Sequence, residues 1–214
     1  KAKTGKYIVM PNFGDREKFL ATFVQQGVTV LDEKKQPAFN TPAAQQAILY
    51  WQKMIKEGLI PQESFTADNR AMLDRFQSGD MAVMISGPQY LKQVQENSPQ
   101  TYTKLGIAPQ LIGSSGKIGV GIMNLAFPKG APHLKEAIAF GEFVTNAQNQ
   151  LAFAKIVTIL PSVMKAVADP YFLPKDKAAS LVDAARFLSV QQLEQAIPLV
   201  PPMEKRVERL QAFN

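Results

Sequence analysis

The chain has no cysteine, a single histidine and a single tryptophan among its 214 residues. Without a thiol there is no disulfide, no thiolate nucleophile and no thiolate-bound metal. His133 alone cannot assemble a histidine zinc site, and its position after Pro132 at a predicted helix start puts it on the surface rather than beside a nucleophile. No apolar run approaches the ~18 residues needed to span a bilayer, and no secretory signal segment is visible. Lys1-Ala2-Lys3-Thr4-Gly5-Lys6 leads straight into Tyr7-Ile8-Val9-Met10, as expected of a piece of a longer chain. Missing cysteine suits an exported bacterial protein and many cytosolic ones alike.

What is present is ordinary for a folded protein: 46% hydrophobic and 20% charged residues, with fifteen prolines and thirteen glycines placed between periodic segments. The net charge is +6 and the pI about 9.4. The lysines are dispersed among acids, and no basic stripe interleaved with aromatics offers a stacking platform for bases, so nucleic acid is not an expected partner.

Along the chain, helical and strand patterns alternate. Tyr7 to Met10 reads as a short strand ended by Pro11-Asn12-Phe13-Gly14. Asp15 can cap a helix with Phe19, Leu20 and Phe23 on one face and Gly27 as its stop. Segments 28–31 and 37–39 flank Asp32-Glu33-Lys34-Lys35 and predict a small hairpin. Thr41 is a predicted N-cap and Pro42 fits the first helical position. Ala44, Ala47, Ile48, Trp51 and Ile55 form one stripe before Gly58 and Pro61, and Trp51 is read with that stripe as core. A helix is predicted over 68–77, with Gly79 as its stop.

Met81-Ala82-Val83-Met84-Ile85 reads as a strand buried on both faces. Gly87-Pro88 ends it, and a helix is predicted over 89–96. Further strands are expected at 105–109 and 118–127, and further helices over 132–145, 148–156, 177–188 and 203–213. A strand that empties into a glycine turn and a helix start is where open α/β sheets present ligand sites.

Common catalytic motifs fail on inspection. Gly116-Lys117 is followed by Ile118 where a P-loop needs Ser or Thr, and Leu111 stands at its first glycine. Gly119-Val120-Gly121 is followed by Asn124 in place of the third dinucleotide-loop glycine. Glu63 and Asp68 are the candidates for paired-carboxylate chemistry, in a loop with no apolar pocket implied.

Ordered short motifs cover most of the chain: Phe39-Asn40-Thr41-Pro42, Gly58 to Pro61, then Phe76, Gly79, Ala82, Met84, Gly87-Pro88 and Gly106-Ile107-Ala108-Pro109. They continue through Gly119, Gly121, Leu125-Ala126-Phe127-Pro128-Lys129, Ala137, Phe140, Phe143, Asn146, Gln150 and Leu160-Pro161. In this order they resemble the extracellular solute-binding proteins (family 1, maltose-binding-protein-like) that serve sugar ABC importers. The resemblance implies a type II periplasmic-binding-protein-like α/β lobe, helix-rich with a short central sheet. It assigns residues 1–124 with 165–214 to a C-terminal lobe, and 125–164 to the other lobe of a longer protein.

It further implies a sugar or polyol ligand, ABC permease subunits as partners, no cofactor or metal, and a periplasmic or extracellular location, with a lipid anchor in the longer protein as one form of it. Where the family carries an aromatic platform after Gly-Pro, this chain has Gln89, with Tyr90 the nearest ring, and that departure puts a stacked pyranose there in doubt. The residues implied at the ligand are Gly87, Gln89, Tyr90, Met123, Asn124 and Asn12. Asn124 can either bond a hydroxyl or end the strand. Two other classes stay open at this point: a carbohydrate-active enzyme using Glu63 and Asp68, and a basic interaction module.

Overall fold

The computed structural model of the chain describes residues 3–173 and 180–198. Strand β1 (Tyr7–Val9) is followed by helices α1 (Arg16–Gln25) and α2 (Pro42–Lys56), a 3-10 turn (Gln62–Phe65) and helix α3 (Asn69–Gln77). Strand β2 (Met81–Val83) then lies parallel to β1, with Tyr7 opposite Met81 and Val9 opposite Val83. The Ile8 N–H donates to the Leu59 carbonyl at 2.9 Å, so β1 is bonded on both sides. After β2 come α4 (Tyr90–Asn97) and α5 (Pro99–Tyr102).

The second half contains strand β3 (Ile118–Val120), helices α6 (Leu134–Thr145), α7 (Ala147–Val157), α8 (Met164–Val167) and α9 (Leu181–Gln191), and strand β4 (Ala196–Pro198). β3 and β4 form a second parallel pair, Ile118 opposite Ala196. Among the described residues the sheet is therefore two short parallel pairs inside a helix-rich α/β fold.

Side chains fix the helix starts. Asp15, Thr41, Asp68, Asn146 and Ser180 each accept a backbone N–H from the first turn of α1, α2, α3, α7 and α9. Such a bond satisfies a donor that the helix cannot, and is worth about 1 kcal/mol. α2 and α3 stop where the following glycines, Gly58 and Gly79, take positive φ (65° and 76°), a conformation that a Cβ disfavours.

Two apolar clusters lie in the first half. One gathers Met10, Met72, Leu73, Phe76, Met81 and Val94 beneath β1 and β2. The other gathers Leu20, Phe23, Val28, Val30, Ala44 and Ala47 between α1 and α2. Trp51, expected in the core, is only half-buried, with its ring edge-on to Phe13 (5.0 Å between centroids), and of its stripe Ala44 and Ala47 are buried while Ile48 is 38% exposed.

In the second half α6 packs on α7, and α7 on α8. The Phe127 ring lies so close to α6 that a Cβ on Gly141 would sit 2.4 Å from it. Arg186 joins α9 to the α8 segment. Its guanidinium donates to the Tyr171 carbonyl (2.8 Å), pairs with Asp183 and stands 3.8 Å from the Tyr171 ring centre. Lys155 of α7 reaches the same ring at 5.6 Å and Asp169 at 3.3 Å.

Strand lengths depart from expectation. Residues 105–109 are not a strand, and of 118–127 only the first three residues are paired. The hairpin shrinks to one antiparallel bridge, Leu31 to Pro37, closed by Asp32 accepting the Gln36 N–H at 2.8 Å. β2 is not buried on both faces: Met81 is 3% exposed, Val83 48%. Apolar content marks a tendency to burial, whereas pairing needs a neighbouring strand that the local sequence does not supply. Residues 177–179 and 203–213 of the expected helices lie outside the described residues.

Candidate functional site: the carboxyl edge of the first sheet

Because β1 and β2 are parallel, both chains leave the sheet on one edge. Open α/β sheets take ligands at that edge. From β1 comes loop 10–15, and from β2 the turn 84–89 leading into α4. α3 runs into β2 through the turn at Gly79, so its first residues return to the same edge.

The β1 loop is pinned from below. The Phe13 N–H donates to the Ser64 carbonyl at 2.8 Å. Gly14 lies so close to the Thr66 and Ala67 carbonyls that a Cβ would meet the latter at 2.5 Å, so only glycine fits. Asn12 is 3% exposed, with its Nδ2 2.9 Å from Asn69 Oδ1. The opposite amide orientation would donate to the Ala67 carbonyl and accept the Asn69 N–H at 3.1 Å. In both orientations the Asn12 side chain ties the loop to the start of α3 and is spent inside the fold.

Lys18 approaches Asn69 from α1, its Nζ 2.6 Å from Asn69 Oδ1. Burial lowers the Lys18 pKa from its ordinary value, and Asp15 opposes that shift. Asn69 in turn lines an open groove of about 640 Å³ between α3 and α4, together with Asp68, Arg70, Leu73, Tyr90 and Gln93.

The expected site residues fall into three places. Tyr90 is half-buried, packs on the cluster beneath the sheet and faces the groove beside Asn69. Gly87 and Gln89 are exposed on the β2 turn. The Gln89 carboxamide folds back over Gly87, where an added Cβ would meet its Oε1 at 2.2 Å. Met123 (78% exposed) and Asn124 lie in the irregular stretch after β3, and the Asn124 amide donates to the Ile122 carbonyl at 3.3 Å. Asn12 is bonded to Asn69, which shares the groove with Tyr90, while Met123 and Asn124 follow β3 of the other strand pair.

The two acids considered for catalysis have structural work. Glu63 is ion-paired to Arg75, which also holds Asp80. Its carboxyl is kept below the usual range first by its own backbone N–H and then by Arg75. Asp68 caps α3, accepting the Ala71 N–H at 2.9 Å. Among the described residues no group of three His, Asp or Glu side chains could hold a metal, and no helix is long and apolar enough to cross a membrane.

Asn69 and Lys18 are the site residues that sequence reasoning missed. Neither belongs to a motif, and only the fold sets them beside Asn12 and Tyr90.

Short parallel strands flanked by helices, with loops and helix starts gathered on one open edge, define a ligand-binding α/β unit of the type II periplasmic-binding-protein kind. The family profile described as "Bacterial extracellular solute-binding protein" matches residues 1–151, and the chain belongs to that family. Among solved structures it is similar to a protein from Synechococcus sp. MITs9220 assigned as an oligosaccharide periplasmic-binding protein. That match has 34% identity and a TM-score of 0.85 over 98% of this chain and 54% of the other. It shares its fold with the sugar-binding protein MalE of Xanthomonas citri (22% identity, TM-score 0.71, 100% of this chain and 53% of that one). Maltose-bound MalE3 of T. maritima is similar to the same degree (22% identity, TM-score 0.69, 98% and 54%). The chain spans about half the length of these relatives. No curated protein matches it.

Proposed function

We propose that this chain is the larger part of the C-terminal lobe of a solute-binding component of a sugar ABC importer, taking up a sugar or polyol and passing it to a membrane permease. Residues 1–124 with 165–214 make up the lobe, and 125–164 belong to the facing lobe. The observation that carries the reading is the convergence of loop 10–15, the Gly87–Gln89 turn and Tyr90 on the carboxyl edge of β1 and β2, in a member of the family.

Sugar C–H faces pack on rings, and hydroxyls need planar donors and acceptors. Tyr90 supplies a ring, and Gln89 and Asn124 supply exposed carboxamides. Asn12 supports the edge from within. Closure of two lobes would turn differential contacts of this kind into a conformational signal read by the permease. The apolar residues exposed between 122 and 157 support the lobe assignment, because such a face calls for a covering element.

Thermal unfolding in the presence of maltose, maltotriose and sorbitol tests the reading. A midpoint that rises with sugar concentration and saturates is the expected result, since a ligand of the folded state stabilises by mass action. Unchanged midpoints with all three up to tens of millimolar would exclude a saccharide site on this lobe. Turnover of aryl glycosides that disappears in Glu63→Gln would instead favour an enzyme.

A further inference from the structure

The groove between α3 and α4 holds a hydrogen-bonding arrangement that no motif announced. An ammonium can only donate, so the Lys18 Nζ at 2.6 Å identifies the Asn69 atom facing it as the oxygen. The Asn69 Nδ2 is then directed away from Lys18, and no described group accepts from it. Asn69 lines the groove beside the Tyr90 ring, with Gln93 and Asn97 as further carboxamides and with Asp68, Asp74 and Arg70 along the same walls. Two acids disfavour an anion, and three carboxamides beside a ring suit a neutral polyhydroxylated molecule.

We propose that Asn69 is a ligand-contact residue that donates its amide N–H groups to a hydroxyl of a neutral saccharide lying against Tyr90, and that Lys18 is its positioning residue. This rests on the saccharide reading above. Lys18 acts in two ways. It locks the amide in the orientation that presents donors to the groove. It also polarises the amide by bonding its oxygen, and in a chain of hydrogen bonds such polarisation strengthens the next bond. Holding Lys18 there is unfavourable for the fold, because burial disfavours its charged form. A half-buried lysine whose ammonium is aimed at the Asn69 oxygen, with Asp15 only partly offsetting its burial, fits a residue placed for recognition.

The test is an NMR titration of the ¹⁵N-labelled 214-residue chain with maltotriose, following side-chain amide resonances. The Asn69 Nδ2 pair is identified by its absence from Asn69→Ala. It should shift along the same binding curve as the backbone of the Gly87–Gln89 turn. Asn69→Ala should weaken maltotriose roughly tenfold, as loss of a hydrogen bond made in a partly shielded site. Lys18→Met, which keeps the methylene stem and folds without a buried charge, should weaken it about threefold.

Since Lys18 acts through Asn69, the double variant should bind no worse than Asn69→Ala. Additive losses would assign Lys18 a role of its own and overturn its part of the proposal. An Asn69 amide that stays still while the turn saturates, or an Asn69→Ala affinity equal to the starting protein's, would overturn the whole inference and leave the saccharide reading intact. No response of any resonance to maltotriose would overturn both.

Discussion

Helices α1 and α2 and helices α6 and α7 are built to the same amphipathic plan, yet they end in opposite conditions. Phe23 of α1 is 1% exposed against α2, whereas Phe143 of α6 is 61% exposed and Ile156 of α7 81%. The difference is one of partners rather than of sequence. In the first half the apolar faces of α1 and α2 meet each other, and α1 also packs against β3. In the second half α6 and α7 cover part of one another and turn the rest outward. An apolar stripe thus states that a face is to be covered, and it is silent on what covers it.

The comparison can be broken most sharply in the core. Phe23→Ala should cost about 3–5 kcal/mol in urea unfolding, because the ring touches Phe19, Phe39 and the α1–α2 cluster and its removal leaves a cavity. A loss under ~1 kcal/mol would mean that this interface is as loose as the exposed one. Thr41→Ala should cost about 1 kcal/mol, the worth of the cap on the Ala44 N–H. Its effect should appear in the same cooperative transition as that of Phe23→Ala.

The smallest effect is expected on the open face. Phe143→Ser with Ile156→Ser should change stability by no more than about 0.5 kcal/mol, as surface substitutions do. Light scattering should show reduced self-association. A loss comparable to that of Phe23→Ala would show that these side chains already have a partner within the chain.

Local chemistry was legible and non-local pairing was not. Thr41 with Pro42, Asp15 and Asp68, and the positive-φ glycines Gly58 and Gly79, set helix ends through bonds spanning four residues or fewer, so a linear reading finds them. Strand extents depend on a partner far along the chain. β1 needs β2 some seventy residues later, and β3 needs β4 almost eighty later. The segment 105–109 has strand composition without such a partner, and it is not a strand.

At the site, Gly87, Gln89 and Tyr90 follow from a strand emptying into a turn, a sequential relation. The burial of Asn12 and the presence of Lys18 and Asn69 follow from three segments meeting, which no one of them encodes. Glu63 had looked available because its partner, Arg75, stands twelve residues away on another element.

Trp51 has a consequence for measurement. As the one tryptophan in the chain, it is the sole indole fluorophore, and it rests edge-on against Phe13, which closes the β1 loop at the ligand edge, and against Tyr50. Its emission therefore reports on the α2 and β1-loop neighbourhood alone, while far-UV dichroism is dominated by helices from both halves. If the halves unfold independently, the two signals will separate on heating. If a saccharide seats on the edge, the emission of this one ring offers a label-free binding signal built into the sequence.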